Sequence, residues 1–295
     1  MASTALEYIG PYRLLNIVNT GQTSRIWQAY NDRTRQFVGI KVLLEKFRRD
    51  REQINALKWE HLVAGNLENE HIIRIHEFKT SRGLPYLAME WFSAPNLKQL
   101  IRFGPDPVAY RLPSIIDQTI LAMCYFSKQG WVHRDIKPDN FLVNDDGVVK
   151  LIDFALATRI RRGLGRLLPG KSKVQGTKSY MSPEQILGKP LDERADLYSL
   201  GCTLFELVGG KPPFTGTSPN DLLMKHLRSS PPSLEVYNKN VTSEFAQLIR
   251  ATMAKRPKNR PESFRDFLAK YRMIRVYRRT PKPPEVAESS SGSGG

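Results

Sequence analysis

Residues 133–140 read His133-Arg134-Asp135-Ile136-Lys137-Pro138-Asp139-Asn140, and thirteen residues past that asparagine stands Asp153-Phe154. One short loop–strand–loop segment thus carries a carboxylate (Asp135), an ammonium two residues on (Lys137), a side-chain amide (Asn140) and a further carboxylate (Asp153). Phosphoryl transfer calls for these parts. Asp135 can accept a hydroxyl proton and orient the attacking oxygen. Lys137 can neutralise charge on the phosphate in flight, while Asn140 and Asp153 can hold Mg²⁺ against nucleotide phosphates. The plainer alternative is a basic turn whose acids pair with neighbouring Arg and Lys. Five identities at fixed spacing speak against it.

Outward from this segment the chain changes character. On the N-terminal side, Tyr12–Val18, Ser24–Asn31 and Phe37–Leu43 are rich in aromatic and β-branched residues and separated by turn residues, which predicts three antiparallel strands. The charged segment Asp50–Leu67 has apolar residues at Ile54, Leu57, Leu62 and Val63, with Trp59 nearby, and predicts a partly buried helix. Ile72–Phe78 and Pro85–Trp91 predict two further strands. Past Trp91 helical patterns dominate: Pro113–Gln129, Arg194–Val208, Pro219–Leu227, Ser243–Met253 and Glu262–Tyr271. Several open on a capping residue or proline (Ser243, Pro113, Pro261). The expected class is α+β, with a boundary near Met89–Ala94. The end, Thr280 to Gly295, is Pro-rich and then Ser/Gly-rich; it cannot bury a core and is expected to be disordered.

The 295 residues suit one large domain or two coupled lobes. No apolar run reaches the length of about 18 residues needed to span a membrane. Met1-Ala2-Ser3-Thr4 lacks the charged-then-apolar pattern of a secretory signal. The two cysteines, Cys124 and Cys202, lie in apolar helical contexts and read as buried free thiols of a reducing cytosol, so a cytoplasmic location is expected. The five histidines show no metal-ligand spacing. The net charge of +16 favours acidic partners. Its excess is local: Arg159, Arg161, Arg162, Arg166, Lys171, Lys173 and Lys178 lie between Phe154 and Pro183 with no acid among them, and a second cluster runs from Lys255 to Lys282. Nucleic-acid binding driven by this charge lacks any recognisable nucleic-acid module and is not expected.

Lys41 sits in Val38-Gly39-Ile40-Lys41-Val42, so apolar alternation turns it inward, where an unpaired ammonium is unfavourable. It needs a carboxylate and, with it, phosphates. Glu60 on the following helix is the candidate partner. The plainer alternative is an edge lysine and a solvated helix glutamate.

These features together resemble the protein kinase family, over residues from about Tyr12 to Arg272, and within it the bacterial-type branch of eukaryotic-like serine/threonine kinases. The resemblance implies a bilobal fold: a small antiparallel N-lobe with one helix (12–90) and a larger, mainly helical C-lobe (91–272), followed by a disordered tail (273–295). It implies Lys41 as phosphate clamp held by Glu60, Asp135 as base, Lys137 as charge stabiliser, and Asn140 and Asp153 as ligands of Mg²⁺, or of Mn²⁺ in its place. ATP is the implied nucleotide. Its adenine is expected between Ile26 and Gly39 above and Leu142 below, its edge bonded to the Glu90 carbonyl and Phe92 amide behind Met89. Glu184 of Ser182-Pro183-Glu184 is the expected ion-pair partner of Arg260, and Asp196 the expected anchor of the catalytic-loop backbone.

The sequence departs from the family pattern in two places. At the glycine-rich loop positions it has Asn19, Gly21, Ser24 and Ile26, keeping one glycine of three, which predicts a stiffer phosphate cradle. Ala155 replaces the glycine after Asp153-Phe154, which predicts a restricted metal loop. Arg134 before Asp135 implies regulation by a phosphate on the activation segment, with Ser172, Thr177 and Ser179 as candidate acceptors. The leading expectation is therefore a serine/threonine kinase acting on protein hydroxyls, with an acidic docking partner for the basic segment. The alternative is a kinase-shaped scaffold that binds partners with weak or no catalysis.

Overall fold

The computed structural model describes residues 8–102, 106–160 and 175–283. Strands β1 (Tyr8–Ile9), β2 (Tyr12–Thr20), β3 (Ser24–Asn31), β4 (Gln36–Leu43), β5 (Ile75–Ser81) and β6 (Leu84–Glu90) form an antiparallel sheet in the order β1-β2-β3-β4-β6-β5. Helix α1 (Arg51–Ala64) crosses it, its first turn capped by Asp50, which accepts from the amides of Glu52 and Gln53. The sheet sorts its residues by the two-residue strand period. Val38, Ile40 and Val42 of β4 join Ile9, Tyr12, Leu14, Ala29 and Tyr86 in a core on one face. Lys41 lies in register with Ile26 and Leu87 and faces the opposite side, toward α1 and the larger lobe.

Beyond Glu90 the chain is mainly helical: α2 (Leu97–Arg102), α3 (Leu112–Lys128), α4 (Pro183–Ile186), α5 (Glu193–Gly209), α6 (Pro219–Arg228), α7 (Ser243–Thr252) and α8 (Phe264–Arg272). Helix α5 is buried from Ala195 to Val208 and ends on Gly210 in the left-handed region. Two short two-stranded sheets complete this lobe. Strand β8 (Phe141–Val143) pairs with β9 (Val149–Leu151), and β7 (Trp131–Val132) pairs with β10 (Thr158–Arg159). The bilobal α+β architecture is the expected one.

Several boundaries differ. The fifth strand begins at Ile75 rather than Ile72, because Ile72 and Ile73 pair instead with Leu151 across the lobe boundary. Thr242, not Ser243, caps α7, and Ser263 caps α8 after Pro261 and Glu262 have passed outside it. The tail expected from residue 273 is packed at its start. Val276 and Tyr277 are buried, Tyr277 bridges Val241, and Arg278 bonds Glu235 and the Val241 carbonyl. Apolar residues at 274, 276 and 277 supply the burial that the Pro-rich run lacks. The expected disorder from 284 on lies outside the described residues, as does Ser172.

Candidate active site

The inward lysine finds its carboxylate. Lys41 Nζ lies 2.8 Å from Glu60 Oε2 and 3.6 Å from Asp153 Oδ1. Glu60 is buried on the inner face of α1 with Leu57 and Val63. Burial alone lowers the affinity of Lys41 for its proton, but the charges of Asp153 and Glu60 outweigh it and hold the ammonium above its ordinary range. Burial pushes Glu60 up against the pull of Lys41. The Lys41 charge holds Asp153 down against burial, so Asp153 is the more firmly ionised of the two carboxylates.

Asp153 adopts φ 66° and Arg134 φ 72°, left-handed conformations that non-glycine residues rarely take. Each is over-determined by its neighbours. Phe154 is buried against the rings of Phe126 and His133, at 5.5 Å from each. The Arg134 amide donates to Asp196 Oδ1 at 2.8 Å and the His133 amide to Asp196 Oδ2 at 2.6 Å. Asp196, on α5, therefore stands where the sequence expected an anchor. Burial pushes it up to about 7 despite the two amides. Gln185 closes the same loop by donating to the Arg134 carbonyl at 2.8 Å.

Asp135 is fully engaged. Lys137 Nζ lies 2.7 Å from its Oδ2, while Oδ1 accepts from both the amide and the hydroxyl of Thr177, each at 2.8 Å. Lys137 also donates to the Thr177 hydroxyl at 2.9 Å. Gly176 makes this approach feasible: it has φ 124°, and a Cβ there would lie 2.8 Å from the Arg134 carbonyl. A phosphoryl group on Thr177 would displace these bonds and set negative charge against Asp135, so the geometry disfavours Thr177 as a regulatory acceptor. Ser179 is half-buried two residues further on.

The donor set suits a hard divalent cation. The Asn140 amide nitrogen is committed to the Asp135 carbonyl at 2.8 Å, which leaves its oxygen for a ligand. The Asn140 carbonyl accepts from the Ile152 amide at 2.9 Å, bringing Asn140 beside Asp153. An ionised carboxylate and an amide oxygen, with phosphate oxygens completing the shell, are what Mg²⁺ takes. Among the described residues no cluster of His, Cys, Asp and Glu forms a separate metal site.

Around the lobe boundary, Gly39 lies against Met89 and Glu90: a Cβ there would come within 3.0 Å of Met89 Cγ. Leu142 on β8 bridges Asn96. Of the residues expected around adenine, Gly39 thus meets Met89 and Glu90 directly, and Ile26 lies in register with Lys41 on the neighbouring strand. At the hairpin between β2 and β3, Asn19 pairs with Ile26 and Thr20 with Arg25, and the Gly21 amide donates to Ser24 at 2.9 Å. Asn19 is an ordinary strand residue here, not a left-handed one, and the tip is only three residues long. The Thr23 carbonyl accepts from the Leu44 amide at 2.8 Å, which pins the tip to the end of β4.

Glu184 and Arg260 form the expected buried ion pair, bidentate at 2.6 and 2.9 Å. Sequence reading missed other members of the site. The Tyr180 hydroxyl donates to the buried Glu206 at 2.6 Å, and Lys98 of α2 closes on the same carboxylate. Trp59 reaches the backbone of Ala157, and Lys150 pairs with Glu90. None of these lies in a spaced motif; an isolated lysine or tryptophan in a mixed segment carries no pairing signal. In the basic cluster from Lys255 to Lys282, four cations are ion-paired within the fold, through Arg260–Glu184, Lys270–Asp266, Arg272–Asp117 and Arg278–Glu235.

Comparison with known proteins agrees with this geometry. The family model for the protein kinase domain matches residues 12–271. A probable serine/threonine-protein kinase of Clostridium perfringens is 31% identical over 283 residues, covering 96% of this chain and 40% of the relative. The serine/threonine-protein kinase PknB of Mycolicibacterium smegmatis is 31% identical over 280 residues, 93% of this chain and 44% of the relative. PknB of Mycobacterium tuberculosis is 30% identical over 279 residues, with the same two shares. The chain spans less than half the length of these relatives. With the motif residues assembled as described, the chain belongs to the protein kinase domain family, and to its serine/threonine branch.

Proposed function

We propose that the chain is an active, ATP- and Mg²⁺-dependent kinase that transfers the γ-phosphate to serine and threonine hydroxyls of proteins. The observation that carries this reading is the closed contact of Glu60, Lys41 and Asp153, with Phe154 packed beneath it. A scaffold has no chemical need to hold those three charges in contact. Asn140 and Asp153 would hold Mg²⁺, which would supply neutralisation of the phosphate charge.

The chain's own residues do the rest. Lys41, fixed by Glu60, clamps the phosphates. Asp135 takes the hydroxyl proton and aims the oxygen; Lys137, 2.7 Å away, stabilises the charge that moves onto the transferring group. Thr177 holds Asp135 from the other side. Autophosphorylation on the activation segment, at Ser172 or Ser179, offsets the repulsion of the basic 158–178 run. We also assign an acidic docking partner to that run, whose residues 161–174 lie outside the described ones. The free thiols Cys124 and Cys202 support action in the cytoplasm.

A second reading, a scaffold with weak catalysis, is favoured by the short pinned hairpin tip and by Ala155. Transfer of labelled γ-phosphate from Mg-ATP, to the chain itself and to a generic protein substrate, separates the two. Label that disappears in Asp135→Asn supports the enzyme. Nucleotide binding without label, in wild type as in the variant, supports the scaffold.

A further inference from the structure

Lys150 stands outside every motif, yet it meets three of the residues assigned to adenine. Its ammonium lies 2.9 Å from Glu90 Oε1 and 5.6 Å from the centre of the Phe92 ring. Its strand partner across the β8–β9 hairpin is Leu142. Glu90 and Phe92 are the residues whose backbone we assign to the adenine edge, and Leu142 is the assigned floor. One ammonium, its side chain 12% exposed, therefore contacts the side chains of both edge residues while riding on the strand that carries the floor.

The contact also spans the lobe boundary. Glu90 ends β6 of the smaller lobe, and Lys150 belongs to the larger one. Glu90 is held on its other side by Arg74, whose amide donates to Oε2 at 3.1 Å and whose carbonyl accepts from the Glu90 amide at 2.8 Å. The guanidinium of Arg74 lies instead toward Glu68, in an exposed pair at 3.5 Å. Lys150 is thus the cation that neutralises Glu90. Without it the Glu90 carboxylate has room to swing into the cavity of about 350 Å³ that it lines with Glu68, Arg74 and Lys150. The tie from the Leu142 strand to residues 90 and 92 would then be lost.

We propose that Lys150 is a positioning residue for nucleotide binding, acting through Glu90 to set the spacing between the adenine edge and its floor. The inference rests on the nucleotide-binding part of the function proposed above. Such coupling through a second residue changes affinity by about tenfold.

The test compares wild type, Lys150→Met, Lys150→Arg, Glu90→Gln and the Lys150→Met/Glu90→Gln double variant. Mg-ATP affinity is read by direct titration, KM and kcat by phosphate transfer, and folding by melting temperature. We expect Lys150→Met to weaken Mg-ATP binding and raise its KM by about tenfold with kcat nearly unchanged. Lys150→Arg should restore most of the loss, and the double variant should be no worse than the worse single one. Unchanged Mg-ATP affinity in a folded Lys150→Met overturns the proposal. So does a loss of kcat that merely tracks the melting temperature, or fully additive single effects. If wild type binds Mg-ATP but transfers no phosphate, the binding arm still decides the role of Lys150, and only the catalytic reading falls. If wild type binds no nucleotide, both fall.

Discussion

The Trp59 indole nitrogen donates a 2.8 Å hydrogen bond to the carbonyl oxygen of Ala157. Trp59 precedes Glu60, and Ala157 stands four residues after Asp153, so this bond ties the helix bearing the partner of Lys41 to the loop bearing Asp153. The indole also meets Trp131 edge-on at 5.8 Å, and Arg159 lies over the Trp131 ring at 3.9 Å. Withdrawing α1 from the cleft, or rearranging residues 153–157, breaks the connection.

Trp59→Phe keeps an aromatic ring and removes the donor. A net hydrogen bond of about 1 kcal/mol corresponds to a loss of about fivefold in the assembled population. Phosphate-transfer kinetics should show that drop in kcat, and unchanged turnover would mean the bond is idle.

Thr177→Val removes the hydroxyl shared by Asp135 and Lys137. Misaiming the carboxylate should lower kcat by at least about tenfold. Thr177→Ser keeps the hydroxyl and should recover most of the rate. Equal activity of the Val and Ser variants would remove Thr177 from the positioning of Asp135.

Arg260 donates to both Glu184 oxygens and to the carbonyls of Ala254, Lys255 and Arg194. Arg260→Met leaves the buried Glu184 without its cation and should destabilise the fold by about 3–5 kcal/mol. Chemical denaturation would measure it. A loss under about 1 kcal/mol would mean that Glu184 reaches solvent when unpaired.

His226 is buried between Tyr198, whose hydroxyl lies 3.0 Å from its Nδ1, and Phe214. Burial, and after it the Lys255 charge, lowers its pKa from 6.5 to about 4. The folded state therefore keeps the ring neutral while the unfolded chain protonates it. Its contribution to stability is present above pH 6.5 and is lost as pH falls toward 4. Asp196 works in the opposite sense: with its pKa raised from 3.8 to about 7, the stability it contributes fades as pH rises through that interval. The difference between wild type and His226→Gln isolates the histidine. Urea midpoints should converge as pH falls from 7.5 to 4.5, and parallel curves would exclude its titration.

Most of the fold was legible because the strands and long helices carry their periods openly. The central residues of the site were legible because phosphoryl transfer restricts residue type at fixed spacing. The Lys41–Glu60 pair followed from an inward lysine that needs a carboxylate. What stayed hidden depends on where a side chain reaches in three dimensions. Trp59 to Ala157 and Lys150 to Glu90 join segments far apart in sequence, and neither end obeys a local rule. Ile72 and Ile73 look like strand residues and are, but their partner is Leu151 rather than the sheet of the smaller lobe. The shape of the hairpin tip hung on backbone angles that Asn19 leaves open.

The anchoring of the catalytic loop by Asp196 has a consequence for synthesis of the chain. All six side chains assigned to the chemistry have been made once residue 153 is added. The left-handed turn at Arg134 has no carboxylate to hold it until α5 follows. A growing chain thus acquires its chemical groups well before it acquires their arrangement. N-terminal fragments that stop short of α5 should therefore lack the ordered turn at Arg134, and should show no activity in the phosphate-transfer assay.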